Sequence, residues 1–265
     1  MPDEKFAFQP QQGFTQIMKS FTLLQQYFTI GRPNPALVLF AALLATGGQA
    51  PAQATAAVDA TAGQAVAKIS ITNLSSQSPA PITVATHQKG AMLIFTPGAA
   101  ASCELATLAE TGNPVALETI PRTDPAVLHA TRLTGASTVI MPGATVSGDI
   151  VLDFHHMSVS TASMLVSTND AYVGYTGAQI PRSAGYTSYM AHAWEAGSEA
   201  DSEACSDLPG PPCAEVSGNA RATDGAEGHV FIRPGIRGLA DVPTRYDWRG
   251  PIARIKITGL GYSYR

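Results

Sequence analysis

Charge is scarce in this chain of 265 residues: 14% of side chains are Asp, Glu, Lys or Arg, and the net charge is −4. Without a basic field there is no electrostatic seat for nucleic acid, so nucleic-acid binding is not expected. Cysteine is also sparse, with three residues, and no Cys/His spacing of the zinc type occurs. No G-x-S-x-G elbow, H-E-x-x-H helix or G-x-x-x-x-G-K phosphate loop is present. The chain is therefore not read as an enzyme. A hydrolase using a metal-activated water is the weakest of the alternatives, because neither an open coordination position nor a base can be identified. No apolar run is long enough to span a bilayer comfortably, and no transmembrane segment is expected in the mature chain.

What is plentiful is turn-forming and strand-forming sequence. The 24 Gly and 19 Pro are spread along the chain without repeats, among many Val, Ile and Thr. Such a composition favours short strands and tight turns over long helices. Residues 1–54 read as an address: Lys19 and Arg32 precede the apolar run 36–45, and small residues follow. They are taken as a signal peptide with a long front end, cleaved near Ala50-Pro51-Ala52 or Ala52-Gln53-Ala54, with Met18 an alternative start and a membrane-anchoring helix the competing reading. Residues 55–265 are then one exported domain, placed in a periplasmic, secreted or cell-surface compartment.

Within that domain, residues 65–73 alternate as a half-buried strand with Ala67, Ile69 and Ile71 inward. Residues 82–87 and 91–96 read as a hairpin-like pair around Gln88-Lys89-Gly90, and 137–141 and 145–154 as two strands about Pro142-Gly143. Residues 99–111 have helical spacing and stop at Gly112-Asn113-Pro114, and 125–133 read as another helical turn. Cys103 is expected to be a small buried hydrophobe in the first helix. Asn73-Leu74-Ser75 is formally a glycosylation sequon. His155 and His156 are adjacent on a strand and so face opposite ways, which suits a structural or surface role. Residues 228–232 read as a strand, and 252–257 as an edge or solvent-backed strand with Ala253, Ile255 and Ile257 inward. His229 near Glu227 is read as a strand histidine in preference to a dyad.

Two stretches carry the functional expectation. Residues 163–174, SMLVSTNDAYVG, form a strand, loop, strand unit holding Asn169 and Asp170. Residues 194–199, WEAGSE, open an acidic segment containing Glu195 and Glu199. Between Arg182 and Arg221 there is no Lys or Arg, while Glu195, Glu199, Asp201, Glu203, Asp207 and Glu215 all fall there. Such a run ordinarily forms a solvated loop. Folded compactly, it would repel itself until a divalent cation relieved it. Cys205 and Cys213 bracket the turn-forming SDLPGPP, where a local disulfide would close easily.

SITN at 70–73, PITVATHQ at 81–88, SMLVSTNDAYVG at 163–174, AWEAGSEADSE at 193–203, GHVFIRPGIRG at 228–238 and YDWRGPIARIKI at 246–257 together resemble the spondin domain. The resemblance covers most of residues 55–265. It implies an all-β, antiparallel β-sandwich comparable with the calcium-dependent membrane-binding sandwiches, with short helical connectors and a Ca2+ site in loops at one end. The family's acidic positions fall on Asp170, Glu195 and Glu199, with Asn169 as a carbonyl ligand. Glu stands where Asp is usual in the animal members. The implied role is adhesion or matrix binding to an extracellular polysaccharide or protein, the alternative being a structural surface component that holds no metal.

Overall fold

In the computed structural model the described residues are 64–91, 94–213 and 221–259. The chain divides into two units, Met1–Pro51 and Ala52–Arg265, and every described residue belongs to the second. The leader read at 1–54 lies outside the described residues.

Among the described residues nine strands form one nearly closed antiparallel sheet: β1 Ala65–Asn73, β2 Ile82–His87, β3 Val127–Leu133, β4 Thr145–Leu152, β5 Ser158–Met164, β6 Ala171–Gln179, β7 Gly185–Glu195, β8 Phe231–Ile232 and β9 Ala253–Gly259. Their order is β3-β2-β5-β6-β7-β9-β1-β4, with β8 beside β7. The fold is all-β and sandwich-like. Strand β7 joins its two layers: Gly185 to Ala191 pair with β9, and His192 to Glu195 pair with β6. The first layer is β4-β1-β9 with the front of β7. The second is β3-β2-β5-β6 with its rear, flanked by β8.

Alternation fills the space between the layers. Ala67, Ile69 and Ile71 of β1 point inward with Ile255 and Ile257 of β9, meeting Val84, Val159 and Val173 from the second layer. The second layer is covered on its outer side too, by the helices α1 Cys103–Thr111 and α2 Val115–Thr119. Leu105, Leu108 and Leu117 pack there on Ala162 and Tyr172. Helix α1 starts at Ser102, whose hydroxyl accepts the Leu105 N–H, and ends at Gly112 in the left-handed region with φ 69°. Because both faces are covered, every residue of β2 and β5 is buried, hydroxyls included. Two of those hydroxyls show how they are held: Ser163 donates to the Ala80 carbonyl at 2.6 Å, and Ser160 meets His87 Nε2 at 2.8 Å, whereas the Thr83 hydroxyl is buried without a partner.

Several expectations are corrected. The described residues of 91–96 are not a partner for β2, both of whose edges are taken by β3 and β5. Ile94 and Phe95 instead cross the outer face, Phe95 packing edge-on to Tyr172 at 5.2 Å and against Trp194 at 4.9 Å. Gly174 leaves room for that ring, since a Cβ there would sit 2.8 Å from it. Residues 127–133 are strand, not helix, because pairing with β2 outweighs local helix preference. Residues 137–141 form a loop, tied down by Asn73 Nδ2 donating to the Ile140 carbonyl at 2.9 Å. Asn73 is thereby buried and committed, so the sequon presents no free amide. The strand near 228 shortens to Phe231–Ile232. Strand β9 is central, lying between β7 and β1, and Ile252 just before it is fully buried. Cys103 is exposed in the first turn of α1, because the buried stripe of that helix runs through Leu105, Leu108 and Ala109. His155 and His156 follow β4 in a turn, where His156 Nδ1 meets Asp153 Oδ1 at 2.7 Å.

Candidate functional site

The acidic residues meet at one end of the second layer, where β6 begins, β7 ends and β8 runs alongside. Register places Ala171 opposite Glu195, so Asp170 and Glu195 are carried to the same corner by two adjacent strands. Both are fully buried. Asp170 Oδ2 accepts the Ser198 N–H at 2.6 Å, the Ser198 hydroxyl at 3.0 Å and the Glu199 N–H at 2.9 Å. This carboxylate therefore organises the turn after β7. Gly197 makes the turn feasible: its φ is 67°, and a Cβ would lie 2.8 Å from the His229 nitrogen.

The other oxygens of the pair lack donors. Asp170 Oδ1 and Glu195 Oε1 are buried without a hydrogen-bond partner, as is the Tyr172 hydroxyl. Burial first, and then Asp170, raise the Glu195 pKa well above the usual carboxylate range, against the pull of Arg233. Burial and the charges of Asp170 and Glu195 likewise hold the Tyr172 phenol in its protonated form. Glu199 is raised to about 7 by burial and by the neighbouring Glu110 and Asp170, and its Oε1 accepts the Ala222 N–H at 3.1 Å.

Beside the pair lies a residue that the sequence reading left in a turn. Arg233 directly follows β8, its side chain is 2% exposed, and its guanidinium is shared among three carboxylates. Nη1 reaches Glu195 Oε2 at 2.7 Å and Asp201 Oδ2 at 2.6 Å, Nη2 donates to Asp201 Oδ1 at 2.6 Å and Glu203 Oε1 at 3.2 Å, and Nε donates to the Gly235 carbonyl. Arg237 adds a second bond to Asp201 Oδ2 at 2.5 Å. Glu203 also accepts the Arg237 and Leu239 N–H groups at 2.6 and 2.7 Å, so residues 233–239 wrap around one carboxylate. Far from being a solvated loop, residues 195–203 are thus an interior ionic cluster. No local signal singled out Arg233: Arg221 is the base that ends the acid-only stretch, and Arg233 stands at the head of a Gly-rich, turn-like segment.

Asn169 is fully buried, with its Oδ1 accepting the Glu203 N–H at 3.3 Å and its Nδ2 donating to Ser202 Oγ at 3.3 Å. It links the two acidic loops and does not stand in the Asp170–Glu195 gap. Cys205 and Cys213 form a disulfide, with Cα atoms 4.9 Å apart, that clips the loop just beyond Glu203. His229 Nδ1 meets the backbone carbonyl of Glu227 at 3.0 Å, not its carboxylate, and the ring is exposed.

The expected site residues therefore sort by distance. Asp170 and Glu195 face one another, Glu199 adjoins through its backbone and its charge, and Asn169 sits one loop away. Among the described residues no three His, Cys, Asp or Glu side chains close around one point in the manner of a finished metal site. Asp170, Glu195, Glu199, Asp201 and Glu203 nevertheless place five carboxyl groups in the interior against the guanidiniums of Arg233 and Arg237. Such a cluster takes up either protons or a hard cation, and the unpartnered oxygens of Asp170 and Glu195 are of the type calcium accepts. No protein-family model matches the chain, and no curated protein matches it. No helix among the described residues is long and apolar enough to cross a membrane.

Proposed function

We propose that this chain is an exported, spondin-type β-sandwich that binds calcium at its acidic corner and serves as a cell-surface or extracellular-matrix binding module. The observation that carries the reading is the facing pair of buried, donorless oxygens, Asp170 Oδ1 and Glu195 Oε1, within an interior that holds more carboxyl groups than guanidiniums. Calcium would supply positive charge between these oxygens. Asp170 would hold the ion with one oxygen while its other oxygen keeps the Ser198–Glu199 turn in place, and Arg233 would continue to balance the far side of Glu195.

Calorimetry in calcium and in chelator tests this. The ion should raise Tm, by the equivalent of about 2.7 kcal/mol at a hundredfold excess over Kd, and Asp170→Asn should remove the response. Equal melting in both buffers would take calcium out of the account. A second reading has its own support: the three donors on Asp170 Oδ2 and the Arg233 network already give a self-consistent corner if the Glu195 carboxyl, raised by burial, keeps its proton. The molecule would then be a metal-free structural component of the surface, and Glu195→Gln would leave its stability unchanged or improved.

A further inference from the structure

Among the described residues no helix packs on the outer face of the first layer, in contrast to the second. Alternation puts three rows of side chains on that face, one from each of four adjacent strands. Asp149, Lys68, Thr258 and Tyr186 form one row, Ser147, Ser70, Lys256 and Ser188 the next, and Thr145, Thr72, Arg254 and Met190 the third. Lys68, Arg254, Lys256, Tyr186 and Met190 are exposed. The three cations have no ion-pair partner among the described residues, and Asp149 is the one acidic side chain in the rows. Lys89, Arg182 and Arg245 are also exposed, but outside the strands, whereas here three cations share one sheet face on a protein of net charge −4.

We propose that this face binds a linear acidic polysaccharide. Lys68 and Lys256 are diagonal neighbours about 7–8 Å apart, and Lys256 and Arg254 are two residues apart on one strand, about 6.6 Å, so the cations form a short bent track. The Lys256 ammonium lies 4.4 Å from the centre of the Tyr186 ring, an exposed aromatic surface of the kind on which sugar rings stack. The Ser and Thr hydroxyls between them supply both donors and acceptors for sugar hydroxyls. A phospholipid surface suits the face less well, because Tyr186 and Met190 stand within flat strands and not on a projecting loop that could enter a bilayer.

Calorimetric titration of the intact protein with linear polyglucuronate oligomers, in chelator throughout, tests the proposal. Binding should weaken with added salt, fall about tenfold in the Lys68→Ser, Arg254→Ser, Lys256→Ser triple variant with Tm unchanged, and fall severalfold in Tyr186→Ala. A neutral glucan of equal length should not bind. If the triple variant folds poorly, Lys256→Glu alone must still weaken binding. Absence of polyglucuronate binding, an unchanged affinity in the variants, or binding only to phosphatidylserine vesicles overturns the proposal. Because chelator is present, any of these outcomes leaves the calcium reading standing, and loss of that reading leaves this one untouched.

Discussion

Arg233 is the side chain on which the acidic corner depends. Its planar fork meets Glu195, Asp201 and Glu203 at once, from a position with almost no access to water. Removing it would leave three interior carboxylates without that charge, so Arg233→Met should cost about 3–5 kcal/mol in urea unfolding. Arg233→Lys should recover only part of this, since an ammonium cannot address three carboxylates and the Gly235 carbonyl in one plane. Glu203 shows the same commitment in its backbone. It is the one non-glycine residue with positive φ among those described, at 53°, a conformation tolerated because its carboxylate takes three N–H groups. Asp170 was singled out by the strand, loop, strand pattern of 163–174 and Glu195 by the acid-rich run, each with the family resemblance. Arg233 was not, because its counter-charges lie up to 38 positions earlier and only pairing between β7 and β8 brings them together.

Among the elements, the turn after β7 is the most exacting. Gly197 must be left-handed and must lie against the backbone of His229, while the next two N–H groups bind Asp170. Gly197→Ala should cost about 2–4 kcal/mol from the unfavourable φ and the collision together, and should displace the Asp170 donors, which thermal melts and amide chemical shifts of Ser198 and Glu199 would register. Strands with clean alternation, β1 and β9, could be read from their sequence because one face is apolar and the other is not. Strand β2, though buried on both faces, was read with its observed bounds 82–87; β5, also buried on both faces, carries no clean alternation, and β3 has a helix-compatible sequence whose conformation is fixed by its partner. The segment around Phe95 misled for a related reason: an apolar run looks the same whether it pairs in a sheet or lies across one.

At the scale of the whole molecule, two groups of buried ionisable residues set opposite pH limits. Burial lowers the pKa of His87 and His129 below 6.5, so the stability associated with their neutral forms is intact above 6.5 and is lost as pH falls from there through their folded values. His87 illustrates the cause: its Nδ1 hydrogen goes to the Gln88 carbonyl and its Nε2 receives the Ser160 hydroxyl, which leaves no acceptor arranged for a second proton. Glu195 and Glu199 are raised, so their contribution is present below 4.5 and is lost as pH rises through the folded values, about 7 for Glu199. In chelator, melting temperature should therefore decline on both sides of a mildly acidic optimum across a series from about pH 4 to pH 9. Glu199→Gln should flatten the alkaline limb and leave the acid limb in place. Strand β7 has a consequence of a different kind. Since the front of one ribbon of backbone is stitched into one leaf and its rear into the other, the two leaves are tethered through the chain itself, and the junction at Ala191 and His192 is the hinge that fixes how they lie over one another.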